Sequence, residues 1–151
     1  MNRVFLTAVL AASTVASASA VALETSSGSS DPSTQTCAGN FTATGSFFKG
    51  KQFRTFEEFP NTPASAAYSR LVSAIASKGY QIVDANKDTG TISANQTVSF
   101  GEGKTVPLNV IISEISKKGS KVEAVMTVSG GLLAPKGQLQ KELCEIVGKA
   151  K

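Results

Sequence analysis

Residues 80–96, YQIVDANKDTGTISANQ, hold two short runs of alternating side chains joined by a segment crowded with Asp, Asn, Lys and Gly. Alternation with a period of two marks a strand with one covered face. Asp, Asn and Gly at the join are the residues that reverse a chain. The stretch therefore reads as a β-hairpin, and the chain beyond it repeats the pattern. Ile92, Ala94, Val98 and Phe100 share one face while Thr91, Ser93, Asn95, Thr97 and Ser99 share the other, with Gln96 interrupting the apolar side. After a turn at Gly101 to Lys104, Val106, Leu108, Val110 and Ile112 alternate in the same way, and Val122, Ala124, Met126 and Val128 do so after a turn at Lys117 to Ser120. Alternating strands with short turns make an antiparallel meander whose apolar face needs a cover. Pro107 marks a strand start or a sheet edge, because it has no N–H to give a ladder.

Two amphipathic helices supply the cover. Ala64, Ala67, Tyr68, Leu71, Val72 and Ile75 recur at spacings of three and four, with Ser65, Ser69, Arg70, Ser73 and Ser77 on the solvated side. Thr62 is expected to cap this helix with Pro63 in its first position, and Gly79 to end it in a left-handed turn. Pro135 opens a second helix, whose stripe is Leu139, Leu143, Ile146 and Val147, with Cys144 beside it. Phe47, Phe48, Phe53, Phe56 and Phe59 are five of the eight phenylalanines. The stretch GKQFRTFEEF among them has no clean period and is expected to be an edge strand whose aromatics fill the core. The expected fold is α+β in two layers: an antiparallel meander of about four to five strands with two helices packed on one face.

The start of the chain reads as an export signal. Met1-Asn2-Arg3 is basic, residues 4–16 are apolar but too few to span a bilayer, and Ala18-Ser19-Ala20 and Ala20-Val21-Ala22 fit small-residue cleavage sites. The expected divisions are a signal peptide over 1–22, a flexible Ser/Thr/Gly-rich leader over 23–46 that cannot bury enough surface to order itself, and a single domain over 47–151. The destination is the periplasm or the medium, as a soluble protein. A lipid anchor would need a Cys directly after the cleavage site, and the first is Cys37, so no stable membrane anchor is expected. Two cysteines in an oxidising compartment are expected to pair, and Cys37–Cys144 would tie the leader to the last helix. Closing so long a loop contributes roughly 4 to 5 kcal/mol in the chain-entropy model.

The chain of 151 residues contains no histidine. That excludes Ser-His-Asp and Cys-His catalysis and nearly all zinc sites. Carboxylates remain as acid/base candidates: Glu57, Glu58, Asp84, Asp88, Glu102, Glu114, Glu123, Glu142 and Glu145. Two-carboxylate chemistry needs a facing pair in a cleft with one pKa raised by burial, whereas these acids are expected in turns, on strand exteriors and on an outer helix face. Asp84, Asn86 and Asp88 alternate as calcium ligands can, but an EF-hand loop begun at Asp84 would have Thr89 where it needs Gly and Asn95 where it needs Glu. GEGK at 101–104 is too short for a phosphate loop. Asn40-Phe41-Thr42 and Asn95-Gln96-Thr97 match the glycan acceptor triplet, which matters only in a host that glycosylates exported chains. The formal charge of +4 is dispersed, its densest group being Lys117, Lys118 and Lys121; nucleic-acid binders gather their charge on one face. No catalytic residue, cofactor, metal or nucleic-acid partner is expected.

AYSRLVSAIASKGYQIVDANKDTGTISANQ, then VPLNVIISEISKKGSKVEAVMTVSG and a closing helix, resembles the helix-grip domains of bacterial envelope proteins. The outer-membrane assembly lipoprotein C is the best-known relative in shape. The cues are Gly79-Tyr80 ending a helix, the Asp-rich turn from Asp84 to Gly90, and the amphipathic helix at the end. The resemblance implies a fold and transfers no functional residue. The expected function is a non-catalytic exported binding or accessory module that docks a protein partner in the cell envelope through its polar sheet face or edge strand. The alternative is a carrier of a small apolar ligand or lipid, held in a cavity between sheet and helices.

Overall fold

A computed structural model describes residues 32–97 and 103–151. The expected signal peptide, the first residues of the expected leader and the strand positions of Val98 and Phe100 lie outside the described residues. The chain runs α1 (Pro32–Gly39), β1 (Thr42–Ser46), β2 (Gly50–Phe59), α2 (Ala64–Ser77), β3 (Gln81–Asn86), β4 (Thr91–Thr97), β5 (Thr105–Ser116), β6 (Gly119–Val128) and α3 (Lys136–Gly148). The strands form one six-stranded antiparallel sheet in the order β1-β2-β6-β5-β4-β3. The protein is α+β, with more strands and one more helix than its sequence pattern suggests.

Register explains why one face is dry. Phe53 pairs with Met126, Met126 with Leu108, Leu108 with Ala94 and Ala94 with Ile82, so one apolar row crosses five strands. The next inward row runs Thr55, Ala124, Val110, Ile92. Against these rows lie Leu71 and Ile75 of α2 and Leu143, Ile146 and Val147 of α3, all buried. Each such side chain is worth about 1.5 to 3 kcal/mol on removal from water.

Three expectations about the N-terminal half need correction. Part of the expected flexible leader is ordered: it carries α1 and β1. Cys37 is bonded to Cys144 on α3 across a sequence separation of 107, Thr55 Oγ1 of β2 donates to the Cys37 carbonyl at 2.6 Å, and Gln140 Nε2 of α3 donates to that of Ala38 at 3.0 Å. β1 has no buried side chain; its backbone ladder to β2 holds it, with Asn40 Nδ2 bonded to the Phe56 carbonyl at 2.9 Å and Phe41 stacked on Phe53 at 6.0 Å. With β1 added outside it, β2 is an interior strand. Its aromatics also divide: Phe53 and Phe59 are buried, Phe56 is half-buried on the outer face, and Phe47 and Phe48 stand exposed in the β1–β2 turn.

The ends of α2 combine one expected and one unexpected device. Gly79, at φ +85°, gives its N–H to Ala76 and Tyr80 gives its own to Ile75, which is the Schellman closure. At the other end Pro63 itself is the cap residue and the helix begins at Ala64. Thr62 therefore stands one residue outside the cap position and makes no side-chain cap, while its N–H turns back to the Phe59 carbonyl. Pro107 lies within β5, paired with Asn95 of β4, just before the β6 ladder starts at Leu108, so its missing N–H interrupts no ladder to β6.

Polar contacts lock α2 to α3. Lys78 Nζ reaches Glu145 at 2.8 Å and Glu142 at 3.2 Å, and Arg70 donates to the Ala150 carbonyl at 3.1 Å. Partial burial opposes the Lys78 charge, but the two carboxylates outweigh it and leave the ammonium above its usual value. Its hydrogen bond in turn holds Glu145 below the usual carboxylate range. Beside them burial, and after it the Glu142 carboxylate, push the Tyr80 phenol above its ordinary range. Folded Tyr80 therefore keeps its proton where the unfolded chain, titrating at about 10, loses it. That stability is complete below about pH 10 and drains away as the pH rises further.

Two outcomes are expected. Leu143→Ala lowers the unfolding free energy by about 2 to 5 kcal/mol in a denaturant titration, as cavities in packed cores do. Tyr80→Phe flattens the loss of stability above about pH 10 relative to the parent chain, measured by the same titration repeated across alkaline buffers.

Candidate functional site

The hairpin loop of residues 86–91 is a turn held by its own side-chain and backbone bonds. Asn86 Oδ1 accepts the N–H of Asp88 at 3.0 Å and of Thr89 at 3.1 Å, and the Thr89 and Thr91 hydroxyls meet at 2.8 Å. Gly90 has φ +68°, and its carbonyl accepts the Ile112 N–H at 2.8 Å. A Cβ there would collide with the Ile112 carbonyl oxygen, so glycine is required on two counts. Asp84 lies on β3 opposite Ser93 and not in the turn. Among the described residues no group of three metal-ligating side chains converges. A groove of about 610 Å³ runs past the turn to Tyr68 of α2 and Ser113 of β5. Its carboxylates, Asp88 and Glu114, are exposed, and exposed acids lack the burial that sets a catalytic pair apart.

One carboxylate departs from the expected pattern. Glu57 is not on a strand exterior: it lies on the inner face of β2, between Thr55 and Phe59, and is buried. A hollow of about 310 Å³ lies beside it, lined also by Thr36, Thr62 and Lys151. Alternation counted from Phe53 and Phe59 would have placed Glu57 inward, but Phe56, facing outward, obscures that phase. Cys37 and Cys144 are brought together as a disulfide.

The outer face of the sheet, opposite α2 and α3, is left uncovered by the described helices. Phe56 of β2 pairs with Glu123 of β6, and Glu123 with Ile111 of β5; beside them Arg54, Val125, Asn109 and Ser93 form a second row. Arg54 bridges to Glu123 at 2.6 Å, Lys121 Nζ stands 4.2 Å over the Phe56 ring, and Ser93 donates to Asn109 at 2.9 Å. Ile111 and Ile115 remain 41% and 45% exposed. The face therefore carries three partly exposed apolar side chains, Phe56, Val125 and Ile111, set around Glu123, with Arg54 and Lys121 beside them.

No family model matches the chain, and no curated protein matches it in sequence. A likeness of fold to a solved structure is found. A conserved protein of unknown function from Enterococcus faecalis aligns over 79% of each chain with a TM-score of 0.53 at 8% identity, a likeness of fold. The di-domain ARO/CYC BexL from the BE-7585A biosynthetic pathway aligns over 65% of this chain and 45% of its own at a TM-score of 0.44 and 14% identity.

Arg54→Ala and Lys121→Ala are expected to change the unfolding free energy by less than about 1 kcal/mol each, since both partners stand at the surface. Thermal melts of the two variants check that these side chains serve the face and not the core.

Proposed function

We propose that the chain is an exported, non-catalytic binding module with a helix-grip-like fold, which presents the outer face of its sheet to a protein partner in the cell envelope. The observation that supports this reading is the group of partly exposed apolar side chains, Phe56, Val125 and Ile111, set around the Arg54–Glu123 ion pair with Lys121 over Phe56. Reversible protein interfaces mix apolar, aromatic and charged side chains, with Arg and Phe enriched among them. The disulfide agrees with an oxidising compartment, and no helix among the described residues is long and apolar enough to cross a membrane. The placement of β2 beside β6, with α2 between β2 and β3 and α3 after β6, supports the helix-grip reading.

The test is capture from envelope extract with the parent protein and with a Phe56→Ser, Ile111→Ser double variant. A partner bound by the parent and lost by at least about tenfold with the variant is expected, since centrally buried apolar residues dominate interfaces. Equal capture by both would contradict the role of this face. Native mass spectrometry of the purified protein addresses the carrier alternative: an apolar small molecule bound in stoichiometric amount would replace docking by transport.

A further inference from the structure

The end of the domain formed by the β1–β2 turn and the β6–α3 loop carries a different kind of surface. Phe48 and Leu133 are each 88% exposed and Phe47 is 41% exposed. Phe47 and Phe48 meet edge to face at 5.4 Å. The two loops are joined by backbone: the Gly131 N–H donates to the Phe47 carbonyl at 2.8 Å, and Leu133 comes two residues later. Scattered apolar residues are normal on a surface, but a cluster on adjoining loop tips marks a contact site.

The described charged side chains of these two loops have one sign. Residues 32–56 include Lys49, Lys51 and Arg54 and no acid; residues 124–141 include Lys136 and Lys141 and no acid. Lys49 and Lys51 line the same shallow hollow beside the turn as Ser129 and Gly130. Glu102 lies outside the described residues. Strand register puts Glu58, Asp88 and Glu114 at the opposite end of the sheet. The outer face mixes charges, whereas the described charged residues of these two loops, Lys49, Lys51 and Lys136, are basic.

We propose that this tip is a membrane-contact site, at which Phe48 and Leu133 enter the headgroup region of an anionic bilayer and Lys49, Lys51 and Lys136 meet lipid phosphates. The apolar cluster amounts to on the order of 400 Å², about half of what one partner contributes to a standard protein interface. A second copy placed tip to tip would set lysines against lysines. An anionic surface relieves both difficulties, and it needs only a few inserted side chains with basic neighbours. The contact is reversible and is not an anchor. It uses a different surface from the outer sheet face and stands independently of the partner docked there.

Sedimentation with phospholipid vesicles tests the proposal, using protein recovered after export, its mature start verified by mass and its disulfide intact. Binding is expected to vesicles of phosphatidylcholine and phosphatidylglycerol in equal parts, to weaken with salt, and to be absent from phosphatidylcholine alone. Phe48→Ser with Leu133→Ser weakens it by at least about tenfold, and Lys49→Glu with Lys51→Glu by a similar factor. The chain has no tryptophan, so Phe48→Trp supplies a single indole whose emission shifts to the blue on anionic vesicles; this conservative variant reads insertion even should the serine pair disturb folding. No binding to anionic vesicles, equal binding to neutral ones, or an unshifted indole would overturn the proposal. So would a dimer in solution that Phe48→Ser converts to a monomer, which would assign the tip to a second copy.

Discussion

Water must be kept from one side of a six-stranded sheet, and nearly every feature of this protein serves that exclusion. The inward rows from Phe53 to Ile82 and from Thr55 to Ile92 are continuous only because the strands pair in this register. A slip of one residue would turn every apolar side chain outward. α2 and α3 close the face from above, joined to each other by Lys78 with its two glutamates and by Arg70. The disulfide then ties α1 to α3, and the Thr55 hydroxyl ties α1 to the sheet. By constraining so long a loop, the bond acts on the unfolded chain as much as on the native one.

Legibility followed burial. β5 and β6 could be read directly because their inner positions are covered and their outer ones are not, which imprints alternation on the sequence. Gly79 and Pro135 announced helix ends through backbone chemistry that few other residues share. α1 and β1 could not be read, since their order comes from partners distant in sequence: a bond to Cys144, a hydroxyl on Thr55, a ladder to β2. β2 was obscured differently. It carries a glutamate inward and a phenylalanine outward, so hydropathy and facing disagree at Glu57 and Phe56. The fold class was thus open to inspection, while the outer strand and the buried carboxylate required tertiary information.

The candidate surfaces divide by the same logic. A sheet with one face closed must present the other, and here the presented side holds Phe56 and Ile111 among paired charges. Its polar side was visible in the alternation of Thr91, Ser93 and Asn95; the outward apolar residues were not, because an outward isoleucine looks like any other β-former. The aromatic tip was likewise hidden. Phe47 and Phe48 read as core until the β1–β2 turn placed them beyond the end of the sheet. The Asp-rich hairpin, conspicuous in the sequence, is accounted for by Asn86 and Gly90 as a turn seated on β5.

Adjacent residues on β5 provide the sharpest test of one-sided burial, because Val110 faces the helices and Ile111 faces away. Thermal melts of Val110→Asp and Ile111→Asp compare the two sides of a single strand. Loss of the cooperative transition in the first and a near-parental melting temperature in the second is the predicted result. Similar destabilisation by both, or the reverse order, would contradict the account.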